Sequence, residues 1–283
     1  MKKLATALAL AGALVLPAAA LAEALPARET AHPLGKNHGE VGIFNELQWG
    51  LTDELSIEAH PILFLAGDFH ATLRLRHAEV AGWTLSGEYG LAVPTLGMRL
   101  TQNLGFASPF FPTWEDSDNK VGLFVVPHVG LLASSGKPTG AVITARADLT
   151  VGVPLGQNDA LPVDSVFAPL ELVMAPMLTG FRLRIGGGYD HPLMDWLRLR
   201  GQVNLFVTGK HPEGYAQLST FFLELYAGVD LRVTTNTRFT LGVKMFNWDQ
   251  HATKVKVGAD GYATREHVRS TDFWPTIDFI WRW

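Results

Sequence analysis

From Glu40 onward, apolar and polar residues alternate with a period of two, in tract after tract of ten to a dozen residues. That period belongs to strands, since an amphipathic helix repeats every 3.6 residues. Leu197, Leu199, Val203, Leu205 and Val207 share one face, and Arg198, Arg200, Gln202 and Asn204 the other. Leu223, Leu225, Val229 and Leu231 oppose Glu224, Tyr226, Asp230 and Arg232, and Phe239, Leu241, Val243 and Met245 oppose Arg238, Thr240 and Lys244. Soluble strands average about five or six residues, whereas a tilted strand needs about ten to cross a bilayer.

Composition narrows the class. The chain of 283 residues is 47% hydrophobic and 18% charged, with no cysteine and a formal charge of −4. So many charges exclude a polytopic helical bundle, and so much hydrophobicity excludes disorder. The acidic balance leaves no basic footprint for nucleic acid. Without cysteine there is no disulfide framework, thiolate metal site or thiol nucleophile.

Met1-Lys2-Lys3, the apolar run Leu4 to Leu16, and Ala20-Leu21-Ala22 have the layout of a signal peptide cleaved after Ala22. Residues 23–283 then form one domain, with a formal charge of −6 once Lys2 and Lys3 are gone. Alternation itself has no sign: a soluble sandwich hides its apolar face, and a membrane barrel turns it out to lipid. Three features favour the barrel. Phe273, Ile277, Phe279, Trp281 and Trp283 line up on one face, as an interfacial aromatic belt does. Arginines sit in the strands while lysines, Lys244 excepted, sit mainly in loops. The tracts have membrane length.

On the export signal, the alternating tracts and Trp283, the chain resembles the Gram-negative outer-membrane β-barrel proteins. The resemblance implies an all-β, closed antiparallel transmembrane barrel embedded in outer-membrane lipid. It also implies that Phe279, Trp281 and Trp283 form the aromatic signal read by barrel-assembly machinery. Pro61, Pro127, Pro169 and Pro275 depart from the pattern, because a closed barrel has no edge to shelter a missing N–H.

Thirteen tracts read as strands, near 39–51, 54–65, 69–77, 82–93, 95–103, 121–133, 140–152, 166–177, 181–190, 195–208, 218–233, 237–250 and 271–283. A strand at Arg28 to Leu34 makes about fourteen, so that both termini face the periplasm. The first strand and 95–103 are the weak members, and twelve is the runner-up. Thr52-Asp53-Glu54, His191 to Asp195 and Thr235-Asn236-Thr237 read as short turns, and Asp260-Gly261 as a hairpin that carries the last two strands past the membrane.

Inside such a barrel, Arg182, Arg184, Arg198 and Arg200 share inward parity and form a cationic ladder, extended by Arg232 and Arg238. Guanidinium suits an anion path. The inward acids Glu171, Asp190, Glu224 and Asp230 make structural ion pairing the competing reading. Glu40, Glu46, Glu58 and Glu88 give an acidic sector that includes Arg74 and Arg76, and His60, His70 and His128 point inward. No histidine spacing marks a metal site, Gly186-Gly187-Gly188 precede no phosphate-binding helix, and no catalytic serine motif occurs. The expectation is therefore no cofactor, no metal and no enzyme, but a passive, porin-like channel for small polar or anionic solutes. Phe44, Phe124, Tyr226 and Trp248 could occlude the lumen, which leaves a plugged structural barrel as the alternative. An outer-membrane enzyme or a soluble periplasmic β-protein stands behind it.

Overall fold

The computed structural model describes residues 25–65, 67–102, 121–156, 168–210, 220–258 and 263–283. The proposed signal peptide, the Asp260-Gly261 turn and most of three long loops, which the sequence sets between its tracts at 106–120, 156–165 and 210–217, lie outside these. The strands are β1 (Gly39–Gly42), β2 (Leu47–Gly50), β3 (Leu55–Ala59), β4 (Phe69–Val80), β5 (Trp83–Val93), β6 (Leu123–Ser135), β7 (Val142–Val151), β8 (Val153–Leu155), β9 (Phe181–Met194), β10 (Leu197–Thr208), β11 (Phe221–Arg232), β12 (Thr237–Val257) and β13 (Ala263–Arg282). Among the described residues three helices intervene: α1 (Pro61–Leu65), α2 (Thr95–Gln102) and α3 (Ala168–Thr179).

Each strand pairs antiparallel with its neighbours, β5 pairs with β6, and β1 pairs with β13, so the sheet closes. Twelve strands make the ring, with β8 outside it on β6. The ring is sealed by Trp283 and Gly39, whose amides donate to each other's carbonyls at 3.0 and 3.1 Å.

The distribution of side chains is that of a soluble protein turned inside out. Leu199, Val203, Leu205, Leu241, Val243, Ile277 and Trp281 are exposed, while Glu40, Glu58, Arg74, Asp148, Arg198, Arg200, Asp230 and Arg238 are buried. Trp49, Trp83, Trp196, Trp281 and Trp283 are exposed near the end that carries the short turns, the periplasmic end in bacterial barrels.

Twelve strands, the runner-up count, come from four corrections. Thr95–Gln102 and Ala168–Thr179 are helices, because short apolar runs fit either structure until packing chooses. Met98 of α2 and Met174 of α3 pack with Phe124 and Val126, and Leu172 with Phe206, Phe222, Phe246 and Trp248. The helices thus bury apolar residues over the lumen. Arg28 to Leu34 is no strand, and residues 39–51 fold as two strands around a turn at 43–46. The turn read at His191 to Asp195 starts later, since β9 continues to Met194.

The prolines find the interruptions they need. Pro61 opens α1, Pro169 lies in the first turn of α3, and Pro127 lies across from Val151, the last residue of β7, beside the break before β8. Ala81 and Gly82, both at positive φ (52° and 81°), make the two-residue turn between β4 and β5. Such a turn requires the left-handed region at both positions, which glycine adopts freely and alanine only with strain.

Candidate functional site

The lumen is crossed by the chain's own segment Leu25–Gly35. At the periplasmic end, Leu25 N–H donates to Asp195 O at 3.4 Å and Ala27 N–H to Pro138 O at 2.7 Å. Arg198 donates to the carbonyls of Leu25 (2.8 Å), Pro138 (3.0 Å) and Gly140 (2.8 Å), and Arg238 to that of Pro26 (3.1 Å). Ala31 N–H donates to Ser134 Oγ at 2.8 Å, and Ser86 Oγ donates to Ala31 O.

Arg28 and Glu29 extend from this segment to the strands. Arg28 pairs with Glu40 at 3.0 Å. Glu29 pairs with Arg200 at 3.3 Å and Arg146 at 3.9 Å, and accepts from Gln202 at 2.9 Å. Burial works against both charges, but the partners prevail. Glu40 keeps the Arg28 guanidinium above its ordinary range, and Arg200, Arg146 and Arg28 hold the Glu29 carboxyl well below its own.

Arg28 and Glu29 also line a cavity of about 420 Å³ that reaches up to the helices. On one wall, Arg74 lies between Glu58 (2.9 Å) and Glu88 (2.8 Å). On the other, Arg184 pairs with Asp148, and Arg182 donates to Leu172 O at 3.0 Å and Thr150 Oγ1 at 3.4 Å. His60, Asp68, His70 and His128 complete the lining. His60 N–H donates to His70 Nε2 at 2.8 Å, and His70 Nδ1 lies 3.9 Å from Asp68. Burial raises the Asp68 carboxyl above its ordinary value against the pull of His70 and His60. His60 Nε2 reaches Phe44 O at 2.9 Å, which leaves buried Nδ1 as a basic nitrogen without a hydrogen-bond partner among the described residues.

The remaining sequence candidates are placed as follows. Arg200 also pairs with Asp190 at 3.1 Å and stands over the Tyr226 ring. Arg238 pairs with Asp230 at 3.0 Å, both fully buried, and Thr240 Oγ1 donates to Asp230 at 2.9 Å. Glu224 accepts from Asn204 at 2.7 Å and pairs with Lys244 at 3.4 Å, while Arg232 lines a second cavity at the periplasmic mouth. The four arginines do not stand side by side. The register sets Arg200 opposite Asp190 and Arg184 opposite Phe206, so antiparallel pairing separates the two arginine pairs by about 20 Å along the strands. Glu171 lies on α3 instead of a strand, and Phe44 is exposed in the 43–46 turn instead of filling the lumen. Phe124, Tyr226 and Trp248 are buried.

Sequence reading missed Arg28, Glu29, Asp148 and Asp68 as lumen groups. Asp148 alternates inward along β7 like the others, so its signal was present. Arg28 and Glu29 had none, because no pattern marks a segment folded back into a barrel.

No protein-family model and no curated protein matches the chain. In fold it is similar to solved structures of OmpT of Vibrio cholerae. For the outer-membrane expressed form the TM-score is 0.43 at 10% identity, over 84% of this chain and 64% of that one. For the form folded in vitro, an outer membrane protein by its description, it is 0.40 at 9% identity, over 86% and 64%. The chain thus spans less than two thirds of the length of these structures.

The expectation that the chain is no enzyme is corrected. It rested on the absence of linear motifs. The fold brings Asp68, His70 and His60, whose Nδ1 has no hydrogen-bond partner among the described residues, into one cavity from a turn and strand ends that no motif joins. With twelve strands closed in a ring, apolar side chains facing out and ion pairs facing in, the chain has the fold of an outer-membrane β-barrel.

Proposed function

We propose that the barrel admits small polar solutes, anionic ones included, to the cavity under the helices, and passes them passively once the Leu25–Gly35 segment leaves the lumen. The observation that carries this reading is the cavity of about 420 Å³, lined by Arg74, Arg146, Arg182 and Arg184 and bounded below by Arg28 and Glu29. Those two residues belong to a segment held by hydrogen bonds and ion pairs, not by the covalent continuity of a strand, so it can leave without unzipping the ring. Planar-bilayer conductance tests the idea. The intact barrel should show small or rare steps, and a variant lacking residues 25–35 should show regular, larger ones. A folded deletion variant that never conducts would sink the reading.

A second reading is favoured by His60. Its buried Nδ1 can take a proton once the neighbouring side chains give way to a bound solute, so the cavity would also support general-base chemistry. Hydrolysis of ester or peptide substrates by the folded barrel, lost in His60→Gln, is the expected result. Hydrolysis that survives this substitution would discard the assignment.

A further inference from the structure

The arginines that line the cavity under the helices are paired with acids, except at one position. Arg28 pairs with Glu40, Arg74 with Glu58 and Glu88, Arg146 with Glu29, and Arg184 with Asp148. Arg182 pairs with no acid among the described residues, and both groups to which it donates are uncharged. The acids within electrostatic reach of it, Asp148 and Glu224, are engaged by Arg184 and Lys244. A cation set into a protein without a counter-ion is uncommon, because nothing offsets its desolvation.

Part of the role of Arg182 is structural. Pro176 lies inside α3 and has no N–H, so the carbonyl of Leu172, four residues earlier, loses its helical donor. Arg182 Nη1 replaces that donor at 3.0 Å. The other side of a guanidinium, Nε with Nη2, is free to grip a carboxylate through two bonds. Arg74 turns that side to Glu88 Oε1, at 3.3 and 2.8 Å. In Arg182 the same side makes one bond of 3.4 Å, to Thr150 Oγ1, and its buried Nε has no partner among the described residues.

The opposite imbalance stands across the cavity. Glu46, Glu58, Asp68 and Glu88 line it on the side of β2 to β5, where Arg74 is taken by Glu58 and Glu88. Asp68 pairs with no lysine or arginine among the described residues, and its Oδ1 is buried without a hydrogen-bond partner. His70 Nδ1 lies 3.9 Å from that carboxyl but donates to the Asp68 carbonyl, at 3.3 Å.

One row of the barrel joins the two sides. Arg182 lies opposite Thr150, Thr150 opposite His128, His128 opposite Gly90, and Gly90 opposite Thr72, just along the chain from Asp68. Thr72, His128 and Thr150 line the cavity. Gly90 leaves the row open there, since a Cβ would come within 2.7 Å of Thr72 Oγ1. Four strand spacings make ~19 Å of wall between the ends of the row, and Arg182 reaches inward from one of them. The ends of an extended peptide of two or three residues lie ~7–10 Å apart, which suits the remaining span.

We infer that this cavity binds short peptides with free ends, the C-terminal carboxylate on the Nε side of Arg182 and the N-terminal ammonium at Asp68. The carboxylate takes the place of Thr150 Oγ1, the longer of the two bonds, and leaves Leu172 O on Nη1. Thr72 and His128 then face the peptide groups between the two ends. The inference rests on the reading that solutes enter this cavity, and narrows them to zwitterions of this length.

Trialanine, its N-acetyl form and its C-terminal amide are titrated calorimetrically into the folded barrel in detergent. Trialanine should bind saturably, and blocking either end should weaken binding about tenfold. Arg182→Gln should weaken trialanine about tenfold and leave the amide unchanged. Asp68→Asn should weaken trialanine similarly and leave the N-acetyl form unchanged. Where Arg182→Gln fails to fold, Arg182→Lys serves in its place, since one ammonium cannot make both bonds. Equal binding of the free and blocked peptides overturns the inference, and that comparison needs no variant. An Arg182 variant that weakens trialanine and its amide alike also overturns it, and leaves Arg182 as the support of α3 alone. A barrel that conducts in the bilayer yet binds no trialanine overturns the inference and spares the conduction reading. Binding without conduction does the reverse.

Discussion

Arg200 of β10 stands 3.3 Å from Glu29 of the N-terminal segment while its Nε donates to Asp190 of β9 at 3.1 Å. One guanidinium thereby ties the segment that crosses the lumen to the wall around it. Asp190 faces Arg200 across the β9–β10 hairpin, whereas Glu29 comes from a segment 171 positions away, so the hairpin sets the guanidinium in place and the fold brings Glu29 to it.

Glu29→Gln should loosen the segment without opening the ring. The substitution removes the pairs with Arg200 and Arg146 and leaves two cations facing a neutral amide. Because the Glu29 side chain is about a third exposed, solvent screens part of the loss, and a cost of about 1–2 kcal/mol is expected. A cysteine at Ala27 should then react faster with a water-soluble maleimide than in the unsubstituted background. Equal rates would show that the segment is held by its backbone bonds alone.

Acid should release the same segment in two stages. His32 is kept neutral by burial, its pKa lowered despite a hydrogen bond with Gly136, so docking weakens as the pH falls below about 6.5. Glu29 has a folded pKa below its ordinary value. Its contribution is complete above about pH 4.3 and is lost as the pH falls further toward the folded value. Conductance of the intact barrel should therefore rise on acidification. His32→Asn should remove the first stage and Glu29→Gln the second.

Asp230→Asn should cost about 3–5 kcal/mol, because it strands the fully buried Arg238 guanidinium. The measurement is the temperature at which the folded, fast-migrating form disappears from gels. It should fall well below that of Arg76→Gln, whose pairs with Glu54 and Glu79 are exposed.

Asp278→Ala should unsatisfy the amides of Ile43 and Phe44 in the 43–46 turn, at about 1–3 kcal/mol for each. Asp278→Asn keeps a carbonyl oxygen and should retain much of the stability. If alanine and asparagine behave alike in thermal unfolding, the carboxylate is not what holds the turn.

The strands and their inward faces were legible in the chain because alternation is local: Leu197 to Val207 shows its two faces in any register. Pro275 stood out in the same way, as a departure from uninterrupted strand pairing. The sequence by itself therefore determined that this chain makes long strands with one apolar and one ionic face. Only the tertiary structure decided which face meets lipid, because alternation carries no sign until the ring closes at Gly39 and Trp283. It also decided that Thr95–Gln102 and Ala168–Thr179 are helices, since their apolar residues fit either form until they meet Phe124 and Trp248. The meeting of Glu29 with Arg200, and of Asp278 with Ile43, joins residues 171 and 235 positions apart. Pairings at such separation are set by closure and register, which no periodicity along the chain encodes.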